Sequence, residues 1–421
     1  MVAAPPLLLV SESSVPSEAG AQAGPPKAGP LTGVTVVDAC QLFAGPLIST
    51  ILGDFGATVI KVEHPRGDPL RATGYQKEGK GLWWKVVSRN KKCVTLDIGE
   101  PAGAAVFKRL AEHADVVLEG FRPGTMERWG VGWEVLHALN PALVLVRVSG
   151  FGQEGPYASR PGFGTLAEAM SGFAHLVGES DGPPTLPPFG LGDGCASLVG
   201  TWATMFALYH RDVHGGGGQV VDLSLYEGLM FVVGPLITYY DQLGLRGERS
   251  GSRTPLNAPR NLYQTSEGAW VAISATGHNT PRRMMELVGH SEYVDEPWFD
   301  SARGRAEHTD VLDAAIAPWI LSLTRAEVLA QCEEIGAAAA PVYDAGDLAE
   351  DPHFRIRSII SVPDDDFGAI KMQNVLARFS DTPGSVQWTG PNLGEHNAEV
   401  FQGLLGMSQS EVDGLHSAGI I

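Results

Sequence analysis

Residues 142–148, Ala-Leu-Val-Leu-Val-Arg-Val, form an almost unbroken run of β-forming apolar residues, and such a strand needs cover on both faces. It closes a series. Residues 34–38 read as a strand, 47–55 carry helical periodicity ended by Gly56, and 57–63 read as a second strand, which is a βαβ unit. Residues 93–96, 100–113 and 114–119 repeat strand, helix, strand, and a short helix at 133–139 leads into 142–148. Parallel strands with right-handed crossovers build a doubly wound α/β sheet, whose ligands bind at the carboxyl ends of the strands. The loops after Asp38, Glu63, Glu119 and Val148 are where chemistry is expected.

The remaining chain divides by composition. Residues 1–30, rich in Pro, Ala, Gly and Ser, read as a flexible extension and make a poor signal peptide. A large sheet domain over 31–225 is expected to give way to a long apolar helix from Tyr226 to Leu245 and a polar linker, together 226–260. A smaller mixed α/β domain over 261–336 follows, and 337–421 reads as a return segment that completes it and packs on the large domain. The four glycines 215–218 lack the lysine and hydroxyl residue of a phosphate loop and read as a turn into a strand at 219–224.

Charge and cysteine usage exclude several classes. A formal net charge of −18 opposes non-specific nucleic-acid binding. No apolar run reaches the roughly 18 residues that cross a bilayer, so no membrane partner is expected. Cys40, Cys93, Cys195 and Cys332 are too far apart for a zinc motif and suggest no disulfide framework, so no metal and a reducing, cytoplasmic compartment are expected. The turn after the first strand is not GxGxxG, which argues against NAD. One local excess stands out: 13 of the 30 lysines and arginines lie between Lys61 and Arg128, the pattern of a site for a small polyanion or of a mixed solvated surface.

Segment 187–194, Pro-Pro-Phe-Gly-Leu-Gly-Asp-Gly, is irregular by composition, whereas Cys195, Leu198, Val199, Trp202, Ala203, Phe206 and Ala207 recur at helical spacing. Asp193 is thus expected at a loop-to-helix junction. Two readings fit it there: an N-cap, or a carboxylate kept ionised by the helix terminus and available as a nucleophile.

Several short motifs in one order resemble the class III CoA-transferases, the family of formyl-CoA transferase, carnitine CoA-transferase and the α-methylacyl-CoA racemases. They include 31–38 with Ala44-Gly45-Pro46, Lys61-Val62-Glu63 with Gly67-Asp68, Phe121-Arg122-Pro123-Gly124, Arg160-Pro161-Gly162-Phe163, Ser171-Gly172 and Leu191-Gly192-Asp193. The resemblance implies that Asp193 is the catalytic nucleophile, with Gly192 and Gly194 as oxyanion and loop support. It implies coenzyme A contacts at Leu42, Phe43, Ala44, His64, Leu96, Phe121, Arg122 and Arg128. It further implies an acyl-CoA donor, a carboxylic acid acceptor and an interlocked homodimer. An acyl-CoA isomerase or epimerase of the same fold, and a CoA-binding subunit without turnover, are the alternatives. Racemases of the family use a histidine in a Gly-His-Asp tripeptide; here 162–164 reads Gly-Phe-Gly, which argues against α-carbon racemisation. Gly164 is expected to shape the acyl pocket.

Overall fold

The computed structural model describes residues 29–277 and 279–421, so the expected extension lies, up to residue 28, outside the described residues. A parallel sheet of six strands occupies the first half: β1 (Thr35–Asp38), β2 (Thr58–Glu63), β3 (Lys91–Thr95), β4 (Val116–Glu119), β5 (Val144–Ser149) and β6 (Val220–Ser224). Their spatial order is β3-β2-β1-β4-β5-β6, every neighbouring pair parallel. Successive strands run outward from β1 on one side and then on the other. The order reverses between β1 and β4, which opens a crevice at their carboxyl ends.

Both faces of this sheet are covered, as the unbroken apolar runs require. Val37, Ile60, Val94, Val117 and Leu145 face one core, shared with α2 (Pro101–Glu112) and with Val400, Phe401 and Ile420 near the C-terminus. Val36, Val59, Val116, Val144 and Val146 face the other, under α1 (Ala44–Asp54) and α4 (Leu191–His214). Between β5 and α4 lies the short α3 (Gly164–Met170). Gly200 lets α1 and α4 approach closely, since a Cβ there would strike Ile48.

Beyond β6 the expected single helix is two, α5 (Leu225–Val232) and α6 (Leu236–Leu243). The break falls at Gly234, with φ +87°, and Pro235, which lacks the N–H that a continuing helix would use. An antiparallel sheet of β7 (Arg260–Gln264), β8 (Trp270–Ser274) and β9 (Ala338–Pro341) follows, packed with α7 (Thr280–Leu287), α8 (Thr309–Leu321) and α9 (Arg325–Glu334) around a third core. The chain then returns to the large sheet. The Cys93 N–H meets His396 Nδ1 at 3.2 Å, and Asn397 Oδ1 accepts from Thr95 N at 2.9 Å.

The basic excess between Lys61 and Arg128 is mostly consumed internally. Lys61 and Lys91 pair with Asp38, Arg71 with Glu63, Lys80 and Lys85 with Asp366, Arg89 with Asp54 and Lys92 with Glu399. Seven of the thirteen therefore serve the fold, which composition could not distinguish from a polyanion site.

The most buried of these pairs sits under the crevice. Asp38, Lys61 and Lys91 are wholly inaccessible. Lys61 Nζ lies 3.0 Å from Asp68 Oδ2 and also donates to Cys40 O, while Lys91 Nζ lies 3.2 Å from Asp38 Oδ2. Burial opposes both charges of the Asp38–Lys61 pair, yet Lys61 and Lys91 hold the Asp38 carboxyl below its usual range, and the surrounding carboxylates hold Lys61 above its own. Removing Lys61 leaves buried Asp68 without its cation and Asp38 with only Lys91. Lys61→Met is expected to destabilise the protein by about 3–5 kcal/mol, measured by urea unfolding.

Candidate active site

The loop after β1 is held in place by that ionic cluster. Asp38 Oδ1 accepts the Cys40 N–H at 3.0 Å, and Asp68 Oδ1 accepts the Leu42 N–H at 3.1 Å. Leu42 adopts φ +64°, a conformation costly for a branched side chain and maintained here by these bonds. The loop after β4 is pinned in a similar way. Buried Glu119 accepts the Phe121 N–H at 2.7 Å and pairs with Arg147 at 2.6 Å.

These two loops, at the point where the strand order reverses, line a cavity of about 380 Å³. Leu42, Phe43, Ala44, Phe121 and Arg122 contribute to its wall, together with Ala158, residues 160–163 and Asp193. Six of the residues expected from sequence thus meet in one place. His64, Leu96 and Arg128 do not line it: His64 Nε2 faces Asp97 Oδ2 at 3.2 Å, the Leu96 side chain is in the core, and Arg128 bonds Thr125 Oγ1 at 2.8 Å. They sit nonetheless in or beside the connections that follow β2, β3 and β4.

Asp193 is not an N-cap. Pro187, Pro188 and Gly190 keep the preceding chain out of helical geometry, Gly190 takes the cap position, and Asp193 is the third residue of the 24-residue helix α4. Its carboxylate turns toward α3, where a Cβ on Gly164 would fall far inside van der Waals contact with Oδ2. On its other side, a Cβ on Gly190 would lie 3.1 Å from Oδ2 and 3.2 Å from the Phe43 ring. Two glycines therefore make the recess that the carboxylate fills.

The charge in that recess is disfavoured. Burial, and then the nearby Glu168, push the Asp193 carboxyl up to about 6, against the stabilisation expected from the helix N-terminus. The carboxylate accepts no hydrogen bond from the described residues, so nothing local offsets its desolvation. The same neighbourhood changes the reading of the flanking glycines. Gly192 donates its N–H to Glu168 Oε1 at 3.1 Å and Gly194 donates to Gly190 O at 2.9 Å, so both expected oxyanion donors are engaged within the protein. Space around Gly194 is open within 4 Å of where its Cβ would be.

Sequence reasoning passed over Glu168 and Arg160. Glu168 is buried on α3, and Arg160 lines the cavity with its guanidinium 3.8 Å over the Tyr157 ring. Both lie within or beside motifs already notable in the sequence, but only folding carries them to Asp193 and its cavity.

Residues 31–397 match the family described as CoA-transferase family III, and the chain belongs to it. It is 44% identical to succinyl-CoA–D-citramalate CoA-transferase of Chloroflexus aurantiacus over 94% of this chain and 99% of that one. It is 40% identical to the succinyl-CoA–L-malate CoA-transferase beta subunit of the same organism, over 93% and 98%. Among solved structures, a CAIB/BAIF family protein from Brucella suis superposes with a TM-score of 0.79 at 29% identity, covering 90% of this chain and all of that one. The protein is thus a CoA-transferase by family.

Two substitutions separate geometry from stability. Gly164→Ala is compatible with the helix but displaces the Asp193 carboxylate; we expect an unchanged melting temperature and a CoA-transfer rate lowered about a hundredfold. A carboxyl raised in the folded state binds its proton more tightly there than in the unfolded chain, so Asp193 costs stability as pH rises from about 4 to about 6. Asp193→Asn should therefore be about 3 kcal/mol more stable than the parent at pH 7 and nearly equal to it at pH 3, read from urea midpoints at the two pH values.

Proposed function

We propose that the protein is an acyl-CoA:carboxylate CoA-transferase working by a ping-pong route through Asp193. The observation that carries this reading is a desolvated carboxylate, recessed between Gly164 and Gly190, at the end of a cavity built from the loops after β1 and β4. A carboxylate stripped of hydrogen bonds and made more basic is a stronger nucleophile than one in water. It attacks the donor thioester, an acyl–oxygen bond forms as the carbon–sulfur bond breaks, and CoA leaves as thiolate. The thiolate then attacks the Asp193 carbonyl of the mixed anhydride, releasing the donor acid and leaving an aspartyl-CoA thioester. The acceptor acid reverses the two steps. Each exchange conserves the activated acyl bond, so water must be kept out.

Coenzyme A is assigned to Leu42, Phe43, Ala44, Phe121 and Arg122 in the cavity, and outward to His64 and Arg128 along neighbouring strand ends; Leu96, 1% exposed in the core, supports that edge from beneath. Gly192 and Gly194 support the site through their small size, Gly194 leaving room for the acyl group. Succinyl-CoA is the donor we favour, because two relatives are named for it, with a small dicarboxylic or hydroxydicarboxylic acid as acceptor. Arg122 and Arg160, the two cations on the cavity wall, suit the second carboxylate of such acids and the phosphates of CoA. We assign a homodimer with interlocked protomers. Its support is the exposed apolar series Trp202, Phe206, Tyr209, Phe231, Val232 and Ile237, which runs along α4, α5 and α6. No described helix is long and apolar enough to cross a membrane, and the four described cysteines are free, which fits a cytoplasmic enzyme.

The test is trapping. Protein incubated with succinyl-CoA and quenched with hydroxylamine or borohydride is expected to carry a modification on the peptide containing Asp193, absent in Asp193→Ala. Absence of any adduct, with deuterium entering the acyl α-carbon from solvent, would replace this reading by acyl-CoA isomerisation.

A further inference from the structure

Glu168 is 3% exposed and lies on α3, the helix that packs against both α4 and α5. Its Oε1 accepts the Gly192 N–H, in the residue before Asp193, at 3.1 Å. The fit around that bond is close. A Cβ on Gly192 would lie 3.0 Å from Gly164 O, 3.2 Å from Ala167 Cβ and 3.5 Å from Glu168 Cγ. The first turn of α4 is thereby clamped to α3 at the point where the Asp193 carboxylate rests against Gly164.

Resting on the reading of Asp193 as nucleophile, we propose that Glu168 is its positioning residue, fixing the turn that presents Asp193 and setting a second negative charge beside it. The other charged or titratable groups on the packed elements are engaged elsewhere or lie at the rim. Glu227 on α5 accepts from Ser224 N at 3.4 Å, and Asp54 at the end of α1 pairs with Arg89. On β5, Arg147 pairs with Glu119 and Glu127. His175, on the short helix Phe173–Leu176, meets Gly247 O at 3.3 Å. Tyr226 on α5 packs near Phe151, and Arg122 and Arg160 stand on the cavity wall. Cys195, on the next turn of α4, is pushed up by burial and by Glu168.

The charge has a chemical consequence beyond position. In the mixed anhydride the thiolate can attack either carbonyl, and the less basic carboxylate is the better leaving group. An ordinary donor acid has a pKa near 4, whereas Asp193 is raised to about 6. Attack on the Asp193 carbonyl expels the donor acid as carboxylate, forms the carbon–sulfur bond of the aspartyl thioester and needs no proton. Burial, with the Glu168 charge adding to it, thus biases the anhydride toward the thioester and away from return to substrate.

Glu168→Gln keeps an acceptor for Gly192 and removes the charge; Glu168→Ala removes both. With succinyl-CoA and mass-spectrometric trapping on Asp193, the wild-type acidic limb is expected near pH 6. In Glu168→Gln that limb should move down by about one pH unit, with a smaller fraction trapped as aspartyl-CoA at pH 7. Glu168→Ala should lose about a hundredfold in kcat with KM nearly unchanged. The same limb in wild type and Glu168→Gln, with adduct formed in both, would overturn the role of Glu168 and leave the nucleophile intact. A wild-type limb near pH 4 would overturn it without any variant. No wild-type adduct at any pH would remove the nucleophile itself.

Discussion

The buried ionic cluster of Asp38, Lys61, Lys91 and Asp68 is the interaction on which the site depends. It takes one carboxylate from the end of β1, one cation each from β2 and β3 and one carboxylate from the loop after β2, so three adjacent strands are tied together around the end of β1. Charges removed from water are costly unless each finds a partner, which gives the cluster few acceptable arrangements. The same groups accept the N–H bonds of Cys40 and Leu42, and the loop that opens α1 inherits their rigidity. Glu119 and Arg147 do the same for the loop after β4. Both walls of the cavity are therefore extensions of buried charge pairs.

Against this rigid frame the Asp193 carboxylate, the proposed nucleophile, is kept in an unfavourable state. A helix N-terminus would stabilise its anion, but burial and Glu168 act in the opposite sense and prevail. With its carboxyl near 6, Asp193 remains roughly nine-tenths ionised at pH 7 while being more basic than a solvated carboxylate. That combination suits the proposed role, in which the carboxylate attacks a thioester and then resists expulsion. The glycines at 164 and 190 make it possible, since any side chain at either position would compete for the volume the carboxylate occupies.

Much of this was legible beforehand because its signals are local. Strand and helix alternation gave the parallel sheet and the crevice at its strand ends, and the order of short motifs pointed to the family. Other features were not legible, for reasons that can be named. Lys61 and Lys91 counted among cations for a polyanion site or a solvated surface, because composition carries no burial; folding placed them inside the sheet. Asp193 could be read as a cap as well as a nucleophile, because the helix start was judged from apolar spacing, whereas α4 begins at Leu191. The helix after β6 read as continuous, though Gly234 and Pro235 divide it.

The sequence by itself determined the class of fold and the membership of the family, and it singled out the carboxylate of the Leu-Gly-Asp segment as a candidate, since each follows from patterns of neighbouring residues. Only the tertiary structure decided what surrounds that carboxylate. Glu168 stands 25 residues before Asp193, and Gly164 stands 29 before it. The packing of α3 against α4 brings both to its side, and an electrostatic environment is a property of such distances rather than of positions along the chain.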